Sequence, residues 1–285
     1  MLKLVSFVCL LGAVFAVPLN QGESCGVKAI EHIQGNGRVT GGIEARQNSW
    51  PWQVSLRYIP NQDSHYCGGT LIRDNWIMTA AHCVAMPGQN NPYNVRVYAG
   101  SHRLSIPDKY EQKRRATQII KHAGFSMLSN DFTDDIALIK VDPPFTLTDQ
   151  VSLMCLPEQN EPSVAGTMVY ISGWGMTRDF NDYPNSPLSD VLKQFYAPIY
   201  DWNECKQSSI IHWNGVHENM ICVGYTGGVH DSCKGDSGGP VSNDDTGLWT
   251  VYGIVSWGTS CGKPYAPTMY TQVSKYVDWI MARVD

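Results

Sequence analysis

The sequence predicts an all-β fold, either a sandwich or a barrel, that ends in one helix. Short segments suited to β-strands are separated by Gly, Pro, Asn and Asp turns, a pattern typical of antiparallel β proteins. The clearest of these segments are 52–56, 94–98, 136–141, 168–172 and 249–256. At 285 residues, the chain is long enough for one large β domain or two smaller lobes.

The last segment is predicted to be a helix because its apolar residues recur at helical spacing. Ser274 is the expected N-cap. We expect one apolar face to pack on the β structure without a catalytic role. That face carries Tyr276, Val277, Ile280, Met281 and Val284.

The N-terminus predicts a signal peptide over residues 1–16. Lys3 supplies the positive charge near the start, and an apolar run follows at 4–17. This run is too short to cross a membrane, which takes about 18 residues, and no other apolar run approaches that length. We therefore expect a secreted, extracellular protein without a membrane anchor. The net charge of −5 and the lack of a concentrated basic patch argue against a nucleic-acid partner.

The most informative motif for chemistry is the segment Gly235-Asp236-Ser237-Gly238-Gly239-Pro240. Glycine lets the backbone turn sharply and brings its N–H groups close to a substrate. Ser237 is therefore a candidate nucleophile beside backbone donors for an oxyanion. The spacing also fits an α/β-hydrolase elbow, which requires a later histidine. No histidine follows Ser237, so its base must lie earlier in the chain.

Two upstream motifs supply the other members of a catalytic triad. One is Thr79-Ala80-Ala81-His82-Cys83, and the other is Asp134-Asp135-Ile136-Ala137-Leu138. The order His82, Asp135, Ser237 is that of chymotrypsin and differs from those of subtilisin and the α/β-hydrolases. From about residue 25 onward, the chain resembles the secreted chymotrypsin/trypsin family of serine proteases.

The resemblance implies two antiparallel β-barrels with the active site between them. His82 would be the general base, Asp135 would orient it, and Ser237 would attack. The N–H groups of Gly235 and Ser237 would bind the oxyanion. Asp134 is a rival carboxylate, but Asp135 directly precedes the Ile-Ala-Leu run, as in the family. The alternative is a non-catalytic homologue that acts as a binding protein, although such proteins usually lack a triad member or the activation site.

The resemblance also divides the chain into a propeptide, 17–38, and a protease domain, 39–285. An activating protease would cleave after Arg38. The new α-amino group of Val39 would pair with Asp236, because either charge buried alone is costly. The pairing would complete the oxyanion hole. Thr40 stands where the family usually has an aliphatic residue. The alternative is that Arg38 lies in an ordinary loop and is not an activation site.

The sequence contains nine cysteines, of which Cys9 lies in the predicted signal peptide. The even number that remains favours disulfides in a secreted protein. Neither Cys-x-x-Cys nor His-Glu-x-x-His is present, so a zinc site has little support. The family resemblance implies the pairs Cys25–Cys155, Cys67–Cys83, Cys205–Cys222 and Cys233–Cys261.

By the same resemblance, Asp231 lies at the base of the primary specificity pocket, six residues before the nucleophile. A carboxylate there favours Arg or Lys before the cleaved bond through a charge-assisted hydrogen bond. Ser232 beside it is also trypsin-like. The pocket wall is expected at Ser256-Trp257-Gly258, where Gly258 leaves the entrance open. Trypsin-like cleavage is the main prediction.

Other residues favour the alternative, chymotrypsin- or elastase-like cleavage. Thr268 stands where trypsin has glycine, and its side chain narrows the pocket near the base. The segments 267–268 and 48–56 resemble pancreatic elastases. Lys234 at the pocket rim repels basic side chains.

No cofactor or required metal is predicted. The segment 101–112 corresponds to a calcium loop of many relatives and contains Asp108 and Glu111, but Ser101 replaces the usual first carboxylate. Calcium takes six to eight oxygen ligands, so these two carboxylates are weak support for a site. The expected partners are protein or peptide substrates, protein protease inhibitors and an activating protease, and the enzyme is expected to be a monomer.

Overall fold

The computed structural model describes residues 24–34, 42–127, 132–207, 216–228 and 230–284. Within these ranges, antiparallel strands form two sheets. The strands are β1 Ile43–Glu44, β2 Gln53–Tyr58, β3 Ser64–Arg73, β4 Trp76–Thr79, β5 Val95–Ala99, β6 Gln112–Lys121, β7 Ala137–Asp142, β8 Met168–Gly173, β9 Lys193–Pro198, β10 Met220–Val223, β11 Pro240–Asn243, β12 Thr250–Trp257 and β13 Thr268–Gln272. The helices are α1 Trp202–Gln207 and α2 Val277–Val284.

The first sheet is a closed barrel with the strand order β2-β3-β4-β7-β6-β5. Closure leaves no free strand edge in the barrel. Its centre is filled by fully buried aliphatic side chains, which include Val54, Leu56, Leu71, Ile77 and Leu138. Burial of this apolar surface is the main force that holds the barrel together.

The second sheet has the order β1-β9-β8-β11-β12-β13-β10 and curls into a half-barrel. The chain just after β9 approaches β10, the last strand of the sheet, at an isolated bridge between Ile199 and Val223. The N–H of Tyr200 donates to the carbonyl of Cys222 at 2.9 Å in the same place. The predicted all-β fold with two barrel-like sheets is confirmed, although the second barrel is not closed by a continuous ladder.

The two sheets share a core that is rich in tryptophan. The rings of Trp50 and Trp249 lie 4.9 Å apart in an edge-to-face arrangement, which is favourable for aromatic pairs. Across the junction, the hydroxyl of Ser172 donates to the side-chain carbonyl of Gln53 at 2.7 Å. This packing fixes the lobes against each other, so loops from both can build one site.

The C-terminal helix packs as predicted but begins later than expected. Ile280 and Val284 are buried against the core. A short 3-10 turn, Val273–Lys275, precedes the helix, and the hydroxyl of Ser274 donates to the carbonyl of Glu161 at 2.8 Å. The prediction that Ser274 caps the helix is therefore wrong. In the part of the chain described, no helix is long and apolar enough to cross a membrane.

Part of the predicted propeptide is docked on the protease body. Cys25 is bonded to Cys155, and Gly26 exchanges backbone hydrogen bonds with Leu153 and Trp249 at 2.8 and 3.0 Å. The predicted signal peptide lies outside the described residues, as do Arg38 and Val39 of the predicted cleavage site.

Candidate active site

His82 and Asp135 meet at one end of the closed barrel. His82 lies in the 3-10 turn Ala81–Val84 that follows β4, and Asp135 comes just before β7. These strands are paired, so their ends are adjacent. The Nδ1 atom of His82 lies 2.7 Å from Oδ2 of Asp135, and the His82 backbone N–H donates to Oδ1 at 2.8 Å. The imidazole is thus held with Nε2 available as a base.

The second lobe completes the surroundings of Asp135. Asp135 is fully buried, and the hydroxyl of Ser256 donates to its Oδ2 at 2.5 Å. The hydroxyl of Thr271 donates to its backbone carbonyl at 2.9 Å. Burial alone would lower the pKa of His82, but the charge and hydrogen bond of Asp135 outweigh it, so the pKa of His82 is raised. This pair can stabilise an imidazolium that forms during a reaction.

Ser237 enters the site from the loop before β11 in the second lobe. Its carbonyl accepts a hydrogen bond from Gly68 at 2.8 Å, which ties the loop to the closed barrel. Gly238 has a φ of +79°, and a Cβ there would lie 2.2 Å from the Thr79 hydroxyl. Within the described chain, no hydrogen bond joins Ser237 Oγ to His82 Nε2. Such bonds are often long in free enzymes and tighten in the substrate complex.

Two backbone donors beside Ser237 are unused. Among the described residues, the N–H groups of Gly235 and Ser237 donate to no carbonyl, whereas those of Asp236 and Gly238 do. Gly235 has a φ of +100°, and a Cβ there would lie 2.7 Å from Leu188. Only glycine fits this conformation without strain. The two free donors can therefore bind a developing oxyanion.

His65 supports this arrangement and was missed by sequence reasoning. Its Nε2 lies 2.9 Å from the carbonyl oxygen of Gly235, and its Nδ1 lies 2.7 Å from the hydroxyl of Ser55. Burial lowers the pKa of His65 to about 4, so the ring is neutral at pH 7. A neutral ring that accepts from Ser55 donates to the carbonyl of Gly235 and so restricts the orientation of the peptide next to the free Gly235 N–H. An isolated histidine in a strand gives no sequence signal for this role.

Asp236 turns inward, away from the substrate side of the nucleophile loop. Its carboxylate accepts hydrogen bonds from the N–H groups of Gly175 at 2.7 Å and Cys233 at 2.9 Å. A Cβ on Gly173 would lie 2.0 Å from this carboxylate, so the fit requires glycine. Burial raises the pKa of Asp236 to about 6. Within the described ranges, no cation pairs with it.

Asp231 is buried near the base of the expected pocket. It is 8% exposed, and its Oδ2 accepts a hydrogen bond from Gly262 at 3.2 Å. Burial raises the pKa of Asp231 to about 7, and the nearby Asp236 carboxylate adds to the shift. Asp231 and Asp236 line one small cavity together with Lys193. The carboxyl group at the pocket base is therefore largely shielded and only partly ionised near neutral pH.

Thr268 lies at the pocket base, beside Asp231 and against Gly258 of the pocket wall. It is 3% exposed, and a Cβ on Gly258 would lie 2.9 Å from its hydroxyl oxygen. The hydroxyl of Ser232 is 2.8 Å from that of Tyr270. The structure thus brings the predicted pocket residues together. Ser256 is the exception, because its side chain is directed toward Asp135, whereas the neighbouring Trp257 remains partly exposed.

Asp134, the rival carboxylate, is directed elsewhere. Its Oδ1 accepts hydrogen bonds from the hydroxyl of Tyr276 at 2.6 Å and from the amide of Asn219 at 3.0 Å. Its Oδ2 lies 3.6 Å from Nδ1 of His122. These contacts join the loop before Asp135 to the C-terminal region, so Asp134 anchors the loop and does not contact His82.

The carboxylates of the segment 101–112, for which no required metal is predicted, contact protein donors. Asp108 accepts hydrogen bonds from the backbone N–H of His102 and from the amide of Gln47. Glu111 accepts one from the hydroxyl of Ser101 at 2.7 Å and lies 3.2 Å from the ammonium of Lys113. This segment is therefore held by contacts within the chain.

Four disulfides brace the fold and the site. They are Cys25–Cys155, Cys67–Cys83, Cys205–Cys222 and Cys233–Cys261. Two of them lie beside candidate functional residues, since Cys83 follows His82 and Cys233 lies four residues before Ser237. Cross-links here restrict the motion of loops that must keep a defined geometry.

Comparisons with known proteins agree with this geometry. The sequence model of the family described as "Trypsin" matches residues 39–280. Chymotrypsin-like elastase family member 1 of Canis lupus familiaris is 41% identical over 251 residues, which is 86% of this chain and 92% of that protein. The proteins of the same name from Macaca fascicularis and Rattus norvegicus are 39% and 40% identical, each covering 86% of this chain and 89% of the relative. The chain therefore belongs to the trypsin family of serine endopeptidases and has elastase-like sequence features.

Proposed function

We propose that this enzyme is a secreted zymogen whose active form cleaves after uncharged residues, as chymotrypsin- and elastase-like proteases do. The observation that carries the specificity is the burial of Asp231 with Thr268 beside it at the pocket base. The names of the similar proteins point the same way. The main prediction from the sequence, cleavage after Arg or Lys, is therefore replaced by its alternative.

We assign the catalytic steps to Ser237, His82 and Asp135. The Ser237 oxygen attacks the substrate carbonyl carbon while its proton passes to Nε2 of His82. Asp135, bonded to the other ring nitrogen at 2.7 Å, keeps the tautomer correct and stabilises the imidazolium. The imidazolium then protonates the leaving amine, and an acyl-enzyme remains. Water, activated by the same histidine, releases the acyl group.

The oxyanion of each tetrahedral intermediate is assigned to the N–H groups of Gly235 and Ser237. Their lack of other backbone acceptors supports this role, and the pairing of Asp236 with the Val39 ammonium after cleavage would fix them in place, so that no rearrangement is needed during the reaction. One such donor contributes about 3–4 kcal/mol to transition-state stabilisation.

The pocket accepts the side chain that precedes the cleaved bond. A trypsin-like pocket would require an accessible, ionised carboxylate. Here the pKa of Asp231 is raised to about 7, its Oδ2 is already bonded to Gly262, and Lys234 is exposed two residues from Asp236. The guanidinium of a substrate arginine would therefore contact a shielded and partly neutral acid, which weakens its binding. The binding of an uncharged side chain does not depend on this carboxylate and is not weakened by its shielding.

Activation is assigned to cleavage after Arg38 by another protease. The liberated ammonium of Val39 would enter the cavity that Asp236 lines. The raised pKa of the unpaired Asp236 supports this, because a buried carboxylate gains most from a cation that joins it. The predicted leader at 1–16 and the disulfides support secretion. Peptide and protein substrates follow from the family, and protein protease inhibitors are further expected partners.

The proposal is tested with the cleaved protein on peptides that differ only in the residue before the cleaved bond. The series contains Arg, Lys, Phe, Leu and Ala, and Ser237→Ala is the control for contaminating protease. We expect higher kcat/KM for the uncharged residues. A preference for Arg or Lys would overturn the specificity assignment. Failure of a fluorophosphonate to label Ser237 in the cleaved protein would instead support the non-catalytic alternative.

A further inference from the structure

A buried carboxylate outside the catalytic site joins two loops near the pocket. The side chain of Asp179 is 6% exposed, and its Oδ2 lies 2.9 Å from the ammonium of Lys263. The hydroxyl of Ser260 donates to the same oxygen at 2.8 Å, and the N–H of Cys261 donates to Oδ1 at 3.3 Å. We call this set of contacts the Asp179 latch.

The loop held by the latch forms part of the specificity pocket. The next residue in this loop, Gly262, donates its N–H to Asp231. Cys261 is bonded to Cys233 in the nucleophile loop. Gly258, which borders Thr268, lies just before the loop. The position of residues 259–263 therefore sets the distance between the pocket wall and the pocket base.

The segment that carries Asp179 is also tied to the nucleophile loop. The N–H of Met176 donates to the carbonyl of Lys234 at 2.9 Å, and that of Gly175 donates to Asp236 at 2.7 Å. The chain from 175 to 179 thus contacts the nucleophile loop at one end and the pocket wall at the other. A displacement of Asp179 would alter the pocket without touching His82 or Asp135.

The charge at Asp179 is well stabilised in this place. Burial opposes ionisation, but Lys263 and Ser260 more than compensate, so the pKa of Asp179 is lowered.

Asp182 offers a natural comparison with Asp179, because it contacts the same lysine. Its carboxylate lies 3.1 Å from the same Lys263 ammonium, but it is 55% exposed and, within the described part of the chain, forms no hydrogen bond to residues 259–262. Exposed pairs of this kind contribute little.

We propose that Asp179 is a positioning residue that sets the shape, and so the selectivity, of the specificity pocket through residues 259–263. The inference rests on the proposed function, because it takes residues 231, 258 and 268 as that pocket. Asp179 contacts no reacting group, and its effect is exerted on the binding of the side chain before the cleaved bond.

The test compares Asp179→Asn with Asp182→Asn as the matched control, since both remove a carboxylate that contacts Lys263. Activated enzymes are titrated with a fluorophosphonate, and KM and kcat are measured per active site on the substrate series above. For Asp179→Asn, we expect KM for the preferred substrate to rise about tenfold with kcat changed less than about threefold. Discrimination between Leu and Ala should shrink about fivefold. Asp182→Asn should stay within about twofold of the parent.

Equal behaviour of the two variants would overturn the proposal, as would a loss confined to kcat. Lys263→Met provides a second test if Asp179→Asn does not fold, and it should shift KM in the same direction. A role in stability alone would lower the titratable fraction and leave selectivity unchanged, which also counts against the proposal. Failure of the proposed function has a different signature, because the parent enzyme itself would then prefer Arg or Lys or resist labelling.

Discussion

Replacing Thr268 with glycine should open the pocket base and create activity toward arginine. Thr268 is 3% exposed and stands between Asp231 and the wall at Gly258. The change removes its hydroxyl and methyl groups, so a guanidinium can approach the Asp231 carboxylate. A charge-assisted hydrogen bond contributes about 1.5–3 kcal/mol. The gain in kcat/KM for an Arg substrate is therefore about 10- to 150-fold over the parent.

The gain should depend on pH in a defined direction. An arginine binds the ionised form of Asp231, and burial holds the pKa of this acid at about 7. The preference for Arg should therefore be greatest above pH 7 and decline as the pH falls below it. Water that enters the opened pocket acts to lower this pKa by relieving burial, whereas loss of the Thr268 hydroxyl acts to raise it.

The assay measures kcat/KM for matched Arg and Leu peptides with the titrated, activated enzyme between pH 6 and 9. Thr268→Gly combined with Asp231→Asn is the control, because it has the same space and no charge. An Arg/Leu ratio that does not rise in Thr268→Gly would refute the reasoning. A rise of equal size in the double variant would also refute it, since the charge would then have no part in the effect.

Three further changes test the site and the activation step. Asp135→Asn should lower kcat about 10⁴-fold and move to lower pH the fall in activity that accompanies protonation of His82, because Asp135 is what raises the pKa of His82. In the uncleaved protein, the raised pKa of Asp236 makes its contribution to stability fall by about 2 kcal/mol as pH rises from 4 to 7, and Asp236→Asn should remove this part of the slope in denaturant unfolding, leaving the part that arises from Asp231. Cys25→Ser should let the propeptide fragment separate from the cleaved enzyme on a non-reducing gel, whereas the Cys25–Cys155 bond retains it in the parent.

The fold and the reacting groups are largely visible in the sequence. Predicted strands such as 136–141 and 168–172 fall within one residue of their observed bounds at Ala137–Asp142 and Met168–Gly173. They are readable because apolar runs between turn residues are local signals. The predicted cap at Ser274 is wrong because this residue lies within a 3-10 turn, and its hydroxyl donates to the carbonyl of Glu161, which is remote in sequence.

Residues that act across long sequence separations gave no comparable signal. His65 reaches Gly235 across 170 positions, and Asp179 reaches Ser260 across 81. Each is an ordinary polar residue in its own segment. Only the folded chain shows that His65 contacts the carbonyl beside the oxyanion donors and that Asp179 contacts the wall of the pocket.

The same distinction explains why the chemistry could be predicted more firmly than the specificity. The turn at Gly235–Gly239 encodes the nucleophile and its backbone donors within a few residues, so the motif carries its own geometry. Asp231 lies only four residues before that turn, but its ability to attract a cation depends on burial by Thr268 and Gly262, which are more than thirty positions away. From the sequence, a carboxylate can be known only as a group that is able to carry a negative charge. Its solvation decides whether the charge is available, and solvation is a property of the folded pocket.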